Sequence, residues 1–304
     1  MRLNLIFGFL GSGKTTLVRR ILAERAGAQS TAVIVNEFGD VGIDGDILEG
    51  QSVDMIQLTS GCFCCTLKGS LNSAIEELQG KGGIERTIVE ASGLAEPADT
   101  LESLWDPQFG TMVDLDLGPV VCVVDTPKFP KIREMLGQFY TEQVVHADVV
   151  LLNKIDMAGD GAELNAVHDQ IAALNPDASL IYTEQCDTDL DILLEGRSAK
   201  HVNAPDTHHH EHEHTQFDSL VLGCDGDLGR DAVEKFFGGL DDQVFRAKGF
   251  MTIDGETRLV QFATGQLDIH PVDGPHDGRM VFIGKEIDLE GLEKRFYQTQ
   301  GLKP

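Results

Sequence analysis

The stretch Gly8-Phe9-Leu10-Gly11-Ser12-Gly13-Lys14-Thr15 decides the fold of this chain of 304 residues. An apolar run from Leu3 to Phe7, typical of a buried strand, precedes it, and a helical pattern from Thr16 to Glu24 follows it directly. Glycines at this spacing let backbone N–H groups curve around phosphate oxygens, and the start of a helix adds the positive end of its dipole. The strand, the glycine spacing and the helix together predict a loop that binds a nucleoside triphosphate.

Two side chains of this loop have predicted chemical roles. The Lys14 ammonium is expected to reach the β- and γ-phosphates, and the Thr15 hydroxyl is expected to bind Mg²⁺. The other loop positions expected to contact the nucleotide are Gly8, Gly11, Ser12, Gly13 and Thr16. A glycine-rich turn formed by chance is the alternative, but such a turn does not require the flanking strand and helix.

Two further segments are expected to face the γ-phosphate. Glu90 follows the strand pattern Thr87 to Val89, where an acid can hold Mg²⁺ or its waters, and Gly93 can donate its N–H to the γ-phosphate. The alternative is that Glu90 and Ser92 only begin a helix. The glycine-rich segment 36–45 leaves another strand and carries three carboxylates, which suits a segment whose conformation depends on the γ-phosphate.

The tetrapeptide Asn153-Lys154-Ile155-Asp156 follows an apolar strand pattern, Val149 to Leu152, and indicates a guanine site. Guanine presents two neighbouring donors, its ring N1–H and its exocyclic amine, and the carboxylate of Asp156 can accept from both. Adenine presents no such pair. Lys154 would cover the base with its stem, Asn153 would hold the loops together, and ligands of open α/β sheets bind at this end of the strands. The pattern therefore favours GTP over ATP.

Short apolar strand patterns alternate with helical patterns through residues 1–184, and the helices are predicted at Thr16 to Glu24, Ser70 to Leu78 and Ala162 to Leu174. Near-continuous apolar strands between helices predict an α/β fold of the P-loop type, with a mostly parallel sheet covered by helices on both faces. Residues 185–216 are polar and have the composition of a linker. Residues 217–304 show antiparallel strand patterns between helical ones, which predicts a smaller C-terminal α+β domain. The strands are predicted at Phe217 to Leu222, Val244 to Ile253, Thr257 to Thr264 and Arg279 to Ile283, and the helices at Arg230 to Phe237 and Leu289 to Tyr297. The predicted organisation is thus a GTPase domain, a histidine-rich linker and a C-terminal domain.

Three cysteines stand close together in Gly61-Cys62-Phe63-Cys64-Cys65. In an extended loop Cys62 and Cys64 lie on one side, and a local turn brings Cys65 to the same ion. Zn²⁺ prefers four ligands, so one position stays open for Glu37, a histidine, water or a ligand of a client protein. Thiolates also admit Cu(I) and, less readily, Co²⁺. Buried structural cysteines and a redox pair remain the alternatives.

The other cysteines stand apart from one another and from this triplet, and we interpret them as structural. They are Cys122, Cys186 and Cys224. A histidine-rich run in the predicted linker is a separate candidate for metal binding, because uncharged imidazoles are ligands for Zn²⁺, Ni²⁺ and Co²⁺ near neutral pH. Its members are His208, His209, His210, His212 and His214. A solvated linker without a metal role is the alternative.

The chain carries a formal net charge of −26, from 50 acidic and 24 basic residues. An acidic surface repels phosphate backbones and anionic lipids, so neither nucleic acid nor a membrane is an expected partner. No apolar run reaches the roughly 20 residues that a membrane-spanning helix needs. The N-terminal apolar run leads into the phosphate loop and not into a cleavage site, so we expect a cytoplasmic protein.

With these motifs the chain resembles the CobW-type metal-handling GTPases, which are relatives of the urease and hydrogenase accessory GTPases. The resemblance covers nearly the whole chain, and the cysteine triplet between two GTPase motifs is its most specific element. It rests on Gly8 to Thr16, Asn36 to Gly39, Ile43-Asp44, Gly61 to Cys65, Glu90 to Pro97, Asn153 to Asp156, Arg246 to Phe250 and Arg279 to Gly284. Phe63 departs from the family, which usually has a smaller aliphatic residue there, but the cysteines are unaffected.

The resemblance implies a slow GTPase that loads a transition metal, most commonly Zn²⁺ and next Co²⁺, and releases it to a client protein as GTP is hydrolysed. It also implies that Asp44 is the switch carboxylate, acting with Lys14, Thr15 and Glu90, and that Glu37 lies close to the cysteine-bound metal. A nucleotide-gated metal store or sensor without a dedicated client is the main alternative, and a P-loop kinase of a small metabolite is a third. A homo-oligomer is compatible with the sequence.

Overall fold

The computed structural model describes residues 1–25, 30–38, 54–60, 66–105, 115–159, 161–196, 198, 217–224, 226–272, 276 and 278–301. The described residues group into two compact units, one within 1–210 and the other within 211–304. Within these ranges no helix combines the length and the apolar composition that crossing a membrane requires.

The first unit is built on one sheet of eight strands, which pair in parallel throughout. They are β1 (Arg2–Phe7), β2 (Thr31–Phe38), β3 (Asp54–Ser60), β4 (Arg86–Glu90), β5 (Asp116–Leu117), β6 (Val121–Asp125), β7 (Val149–Asn153) and β8 (Ser179–Thr183). The order across the sheet is β3-β2-β4-β1-β6-β7-β8, and the short β5 pairs with β1. The N-terminal strand β1 therefore lies in the middle of the sheet, between β4 and β6.

Helices cover both faces of this sheet, as the apolar strand patterns predict. They are α1 (Lys14–Arg25), α2 (Thr66–Lys81), α3 (Pro97–Trp105), α4 (Phe129–Leu136), α5 (Gln138–Val145), α6 (Gly161–Leu174) and α7 (Leu190–Leu194). Leu5 packs in one apolar cluster with Ile75 of α2, whereas its neighbour Ile6 packs in another with Leu17 of α1 and Leu193 of α7. Successive side chains of a strand point to opposite faces, so both clusters are needed to bury β1. The predicted α/β fold is confirmed.

Three of these helices, α3, α4 and α5, are missing from the sequence-based prediction. Helices α4 and α5 have 8 residues each, too few to show a clear helical period. Pro130 lies in the first turn of α4, where proline is tolerated, and Gly137 with φ 54° separates the two helices. Sequence reasoning treats such proline and glycine positions as breaks, and it therefore overlooks short helices that begin or end there.

The second unit is an antiparallel sheet with helices on one face. Its strands are β9 (Asp218–Gly223), β10 (Asp227–Leu228), β11 (Val244–Ile253), β12 (Glu256–Ala263), β13 (Gln266–Pro271) and β14 (Arg279–Gly284), and its helices are α8 (Arg230–Gly238) and α9 (Leu289–Thr299). The order is β13-β12-β11-β14-β9, with β10 added in parallel to β11. Phe237 of α8 and Phe296 of α9 pack with Phe262 and Phe282 of the sheet in one core. This architecture agrees with the predicted α+β domain.

Candidate nucleotide site

The predicted phosphate loop lies at the carboxyl end of the central strand, between β1 and α1. Two of its glycines are required by close contacts as well as by their backbone angles. A Cβ on Gly8, at φ 146°, would lie 2.3 Å from the carbonyl oxygen of Val123 in β6. A Cβ on Gly13, at φ 118°, would lie 2.5 Å from Nδ2 of Asn153. Neither position accepts a side chain, because backbone or a buried amide already fills the space.

Several backbone N–H groups of this loop are available to bind a ligand. In the described part of the chain, the N–H groups of Gly11, Gly13, Thr15 and Thr16 have no hydrogen-bond acceptor. Successive unpaired N–H groups at the start of a helix form a concave site for an anion. The Lys14 ammonium lies in the same loop, where it donates to the carbonyls of Gly8 at 2.8 Å and Phe9 at 3.3 Å. The loop thus concentrates positive charge and donors, as phosphate binding requires.

The predicted Mg²⁺ ligands lie next to each other. The Thr15 hydroxyl donates to Oε1 of Glu90 at 2.7 Å, and Glu90 is 5% exposed. A hydroxyl oxygen and a carboxylate beside a phosphate site are the oxygen donors that Mg²⁺ prefers, so these residues fit that ion. Gly93 also lies against the phosphate loop, since a Cβ there would come within 2.7 Å of the Leu10 nitrogen. The structure therefore brings Thr15, Glu90 and Gly93 to one edge of the loop.

Lys154 is fixed between the phosphate loop and a buried carboxylate. Its backbone is left-handed, with φ 62°, and its ammonium donates to the Gly11 carbonyl at 2.7 Å and to Oδ2 of Asp125 at 2.8 Å. Asp125 is 2% exposed, and its Oδ1 accepts from the Lys128 N–H at 3.3 Å. Sequence reasoning missed Asp125. The available signal was an acid that ends the apolar strand β6, at the same edge of the sheet as the phosphate loop.

Asn153 joins the loops around the site. Its Nδ2 donates to the Ser12 carbonyl at 2.9 Å, while its Oδ1 accepts from the Thr183 hydroxyl at 3.1 Å and from the Cys186 N–H at 2.9 Å. These contacts give Asn153 the bracing position that the sequence predicts. Asp156 lies exposed in the 3-10 turn Ile155–Met157, where its carboxylate is accessible to a base.

Cys186, which we interpret from the sequence as structural, lies against the phosphate loop. Its Sγ donates to the Gly13 carbonyl at 3.5 Å, and the backbone of Cys186 and of Gln185 before it is left-handed. Burial raises the pKa of the Cys186 thiol to about 12, and Arg20 and Lys154 oppose this shift. Burial raises the pKa of Cys122 in β6 to about 12 as well. Both side chains are therefore neutral thiols at neutral pH and poor metal ligands.

Several predicted site residues lie outside the described residues, and their roles stay predictions. They are Asp44, Cys62, Cys64, Cys65, His208, His209, His210, His212 and His214, together with the side chain of Glu37. Among the residues that are described, no group of three or more histidine, cysteine or acidic side chains is arranged to hold a metal ion.

Comparison with known proteins gives matches in both units. The family model described as the CobW/HypB/UreG nucleotide-binding domain matches residues 2–182. A second model, the C-terminal domain of the cobalamin synthesis protein cobW, matches residues 217–300.

Curated relatives align over most of the chain. It is 30% identical over 317 residues to the zinc chaperone YjiA of Escherichia coli K12, which covers 96% of both chains. It is 30% identical over 338 residues to the zinc chaperone CobW of Pseudomonas aeruginosa, covering 95% of this chain and 88% of that one. Over 188 residues it is 33% identical to zinc-regulated GTPase metalloprotein activator 1 of Schizosaccharomyces pombe, covering 59% of this chain and 45% of that one. Since the first family model spans more than half of its length, the chain belongs to the CobW/HypB/UreG family.

Proposed function

We propose that this protein is a GTP-hydrolysing metallochaperone. It binds a transition metal, with Zn²⁺ as the first candidate and Co²⁺ as the second, at Cys62, Cys64 and Cys65 and transfers it to a metal-requiring client protein. The observation that carries the proposal is the phosphate loop with its unpaired N–H groups, joined to Asn153 and Lys154, in a chain whose relatives include zinc chaperones. We assign residues 1–184 to the GTPase domain, 185–216 to the histidine-rich linker and 217–304 to the C-terminal domain.

The proposed guanine recognition combines two residues held by hydrogen bonds, Asn153 and Lys154, with one exposed carboxylate, that of Asp156. Asn153 and Lys154 are fixed by buried or partly buried hydrogen bonds, so the loop that carries Asp156 starts from a defined position. The exposed carboxylate of Asp156 can accept from both donors of guanine. Charge-assisted bonds of this kind are about twice as strong as neutral ones, which gives GTP the advantage over ATP.

Hydrolysis of GTP is assigned to the residues around the open N–H groups. Lys14 leaves the carbonyls of Gly8 and Phe9 to contact the β- and γ-phosphates, and Gly93 donates its N–H to the γ-phosphate. Thr15 and Glu90 would hold Mg²⁺, which would neutralise charge on the phosphate oxygens. Asp44 is the proposed switch carboxylate. Slow turnover suits a metallochaperone, because the rate of GTP hydrolysis then sets how long the metal is held before its release.

The metal is cargo in this proposal. Three thiolates and the carboxylate of Glu37 provide four ligands of the types that Zn²⁺ accepts. The thiolates must stay reduced, which is a reason to place this exchange in the cytoplasm. The γ-phosphate acts on the metal through segments 36–45 and 61–65, and His208 to His214 supply an auxiliary site that collects metal.

Titration of Zn²⁺ by calorimetry tests the coupling between nucleotide and metal. Protein bound to a non-hydrolysable GTP analogue is expected to hold Zn²⁺ more tightly than protein bound to GDP, by a factor of about 5–150. Replacing Cys62, Cys64 and Cys65 by serine, in a chain whose His208, His209, His210, His212 and His214 are already replaced by alanine, should abolish tight binding in both states. Cys224→Ser is the matched control, because it removes a thiol that the proposal does not use.

Two outcomes would contradict the proposal. Equal Zn²⁺ affinity in the analogue and GDP states would refute the coupling, and tight Zn²⁺ binding by the triple serine variant would refute the assigned ligands. Capture of a client that depends on the GTP analogue supports delivery, whereas coupled Zn²⁺ binding without any client indicates a metal store.

A further inference from the structure

Helix α5 contacts the nucleotide site at two positions one turn apart, Tyr140 and Gln143. The Tyr140 ring packs edge-on against Phe9 of the phosphate loop, with 5.7 Å between ring centroids. Gln143 is 0% exposed, and its Nε2 donates to the carbonyls of Gly93 at 3.2 Å and Ala95 at 3.3 Å. The helix is therefore attached both to the phosphate loop and to the loop that follows Glu90.

The backbone that Gln143 holds lies directly against the phosphate loop. Gly93 approaches Leu10 so closely that a Cβ would lie 2.7 Å from the Leu10 nitrogen. The Gly93 N–H has no hydrogen-bond acceptor among the described residues, although Gly93 itself is buried. Fixing the carbonyls of Gly93 and Ala95 fixes the backbone from which this unpaired N–H projects.

The amide of Gln143 is not explained by packing alone. Its Oε1 is buried and has no hydrogen-bond partner within the described ranges. An unmade hydrogen bond on a buried amide is destabilising, and an apolar side chain of the same size would avoid that cost. The two bonds from Nε2 to the loop are what an apolar replacement would lose.

We propose that Gln143 is a positioning residue that holds residues 93–95 in place for the γ-phosphate and so sets the discrimination between GTP and GDP. The inference rests on the proposed function, because Gly93 matters only if the chain binds GTP. GDP lacks the γ-phosphate and gains nothing from a fixed Gly93 N–H. A defect at Gln143 therefore weakens binding of the triphosphate and spares binding of the diphosphate.

Nucleotide affinities of Gln143→Met test this inference, because methionine conserves volume and removes both hydrogen bonds. Affinity for a non-hydrolysable GTP analogue is expected to fall about tenfold, while affinity for GDP stays within about twofold. Titration calorimetry on the full chain gives both constants.

Asn175→Leu is the matched control. Asn175 is a second buried amide, which donates to the carbonyls of Val144 at 2.6 Å and Ala147 at 2.8 Å, at the carboxyl end of α5 and just beyond it. These two bonds support the same helix and do not involve residues 93–95. This variant should be less stable to urea, yet keep the wild-type ratio of the two affinities.

Several results would overturn the inference. The inference fails if Gln143→Met keeps the wild-type ratio of the two affinities, whether both are unchanged or both fall equally. It also fails if Asn175→Leu changes that ratio as Gln143→Met does. If the wild type binds neither nucleotide, the proposed function itself fails, and that result is distinct from the others. If Gln143→Met does not fold, hydrogen exchange of the wild type decides. Residues 91–96 and α5 must exchange more slowly with the analogue than with GDP, and equal exchange refutes the role.

Discussion

At the scale of single residues, the nucleotide site contains side chains that are held by hydrogen bonds and one carboxylate that is exposed. The ammonium of Lys154 is bound on two sides, by Gly11 and by the buried carboxylate of Asp125, and Asn153 uses both ends of its amide. Asp156 is exposed by contrast. The group proposed to bind the base thus follows neighbours that are already held by hydrogen bonds, which limits the entropy lost on binding.

Asp156→Asn is expected to change the preferred base. Xanthine carries a carbonyl where guanine carries its amine, so it needs a donor at this position, and the asparagine amide provides one. GTP affinity should fall about 10- to 100-fold while xanthosine triphosphate gains. Competition of the three triphosphates of guanine, xanthine and adenine for a fluorescent analogue measures the change. Asp169→Asn, an exposed acid on α6, is the control, and an unaltered GTP preference in Asp156→Asn would place the base elsewhere.

The sequence motifs predicted the residues of the nucleotide site that belong to a short local pattern, such as Lys14 and Asn153. They did not predict Asp125, Cys186 or Gln143. These side chains act through partners that are distant in sequence, and each partner becomes visible only when β6, β8 and α5 are placed around the phosphate loop. A short motif records local spacing, whereas a buried hydrogen bond across the sheet leaves no local pattern.

At the scale of elements, long apolar strands were predictable and short helices were not. The prediction gave strand β11 its observed bounds, Val244–Ile253, because ten residues of strand pattern leave little ambiguity. The strand β13, with the polar sequence Gln-Leu-Asp-Ile-His-Pro, was missed because one of its faces is solvated. Solvated edge strands and eight-residue helices are stabilised by tertiary contacts more than by their own sequence.

Helix α7 is short and depends on such contacts. Arg86 of β4 is 4% exposed and donates to the Leu194 carbonyl at 2.7 Å, to Oδ1 of Asn4 at 2.8 Å and to Oε1 of Glu195 at 2.6 Å. Burial lowers the pKa of Arg86, and Glu195 opposes that shift. The guanidinium therefore attaches the end of α7 to the amino edge of the sheet.

Arg86→Met should destabilise the first unit by about 2–3 kcal/mol, because it leaves a buried amide oxygen and a carbonyl with fewer donors. Urea unfolding followed by the fluorescence of Trp105, the only tryptophan, reports on this unit. Arg25→Met is the control, since Arg25 pairs with Asp191 of α7 at an exposed position and should cost no more than about 1 kcal/mol. Equal losses in the two variants would show that burial of Arg86 adds nothing.

At the scale of the whole molecule, each unit has a core of its own. The second unit buries leucine, valine and phenylalanine side chains from both helices and most strands in one cluster. Its antiparallel pairs are local, since β11 pairs with β12 and β12 with β13 along the chain. A domain of this size buries enough surface to fold alone.

A fragment spanning 217–304 is accordingly expected to unfold cooperatively with heat. Circular dichroism measures the transition, because the fragment lacks tryptophan. Phe282→Ala should lower the free energy of unfolding by about 3–5 kcal/mol, as for other buried phenylalanines, and Val221→Ala at an exposed position should change it little. A fragment without a cooperative transition would show that its own core is insufficient.

The central position of β1 affects how the protein forms during synthesis. Strand β1 leaves the ribosome before both of its neighbours in the sheet, which are β4, where Arg2 meets Arg86, and β6, where Ile6 meets Val121. Asn153, which closes on Ser12, is made later still. The phosphate loop is thus translated before the partners that give it its shape, because those partners are distant in sequence. The loop of a nascent chain therefore cannot bind nucleotide until most of the first unit has emerged from the ribosome. Its folded shape depends on strands and side chains that are translated after it.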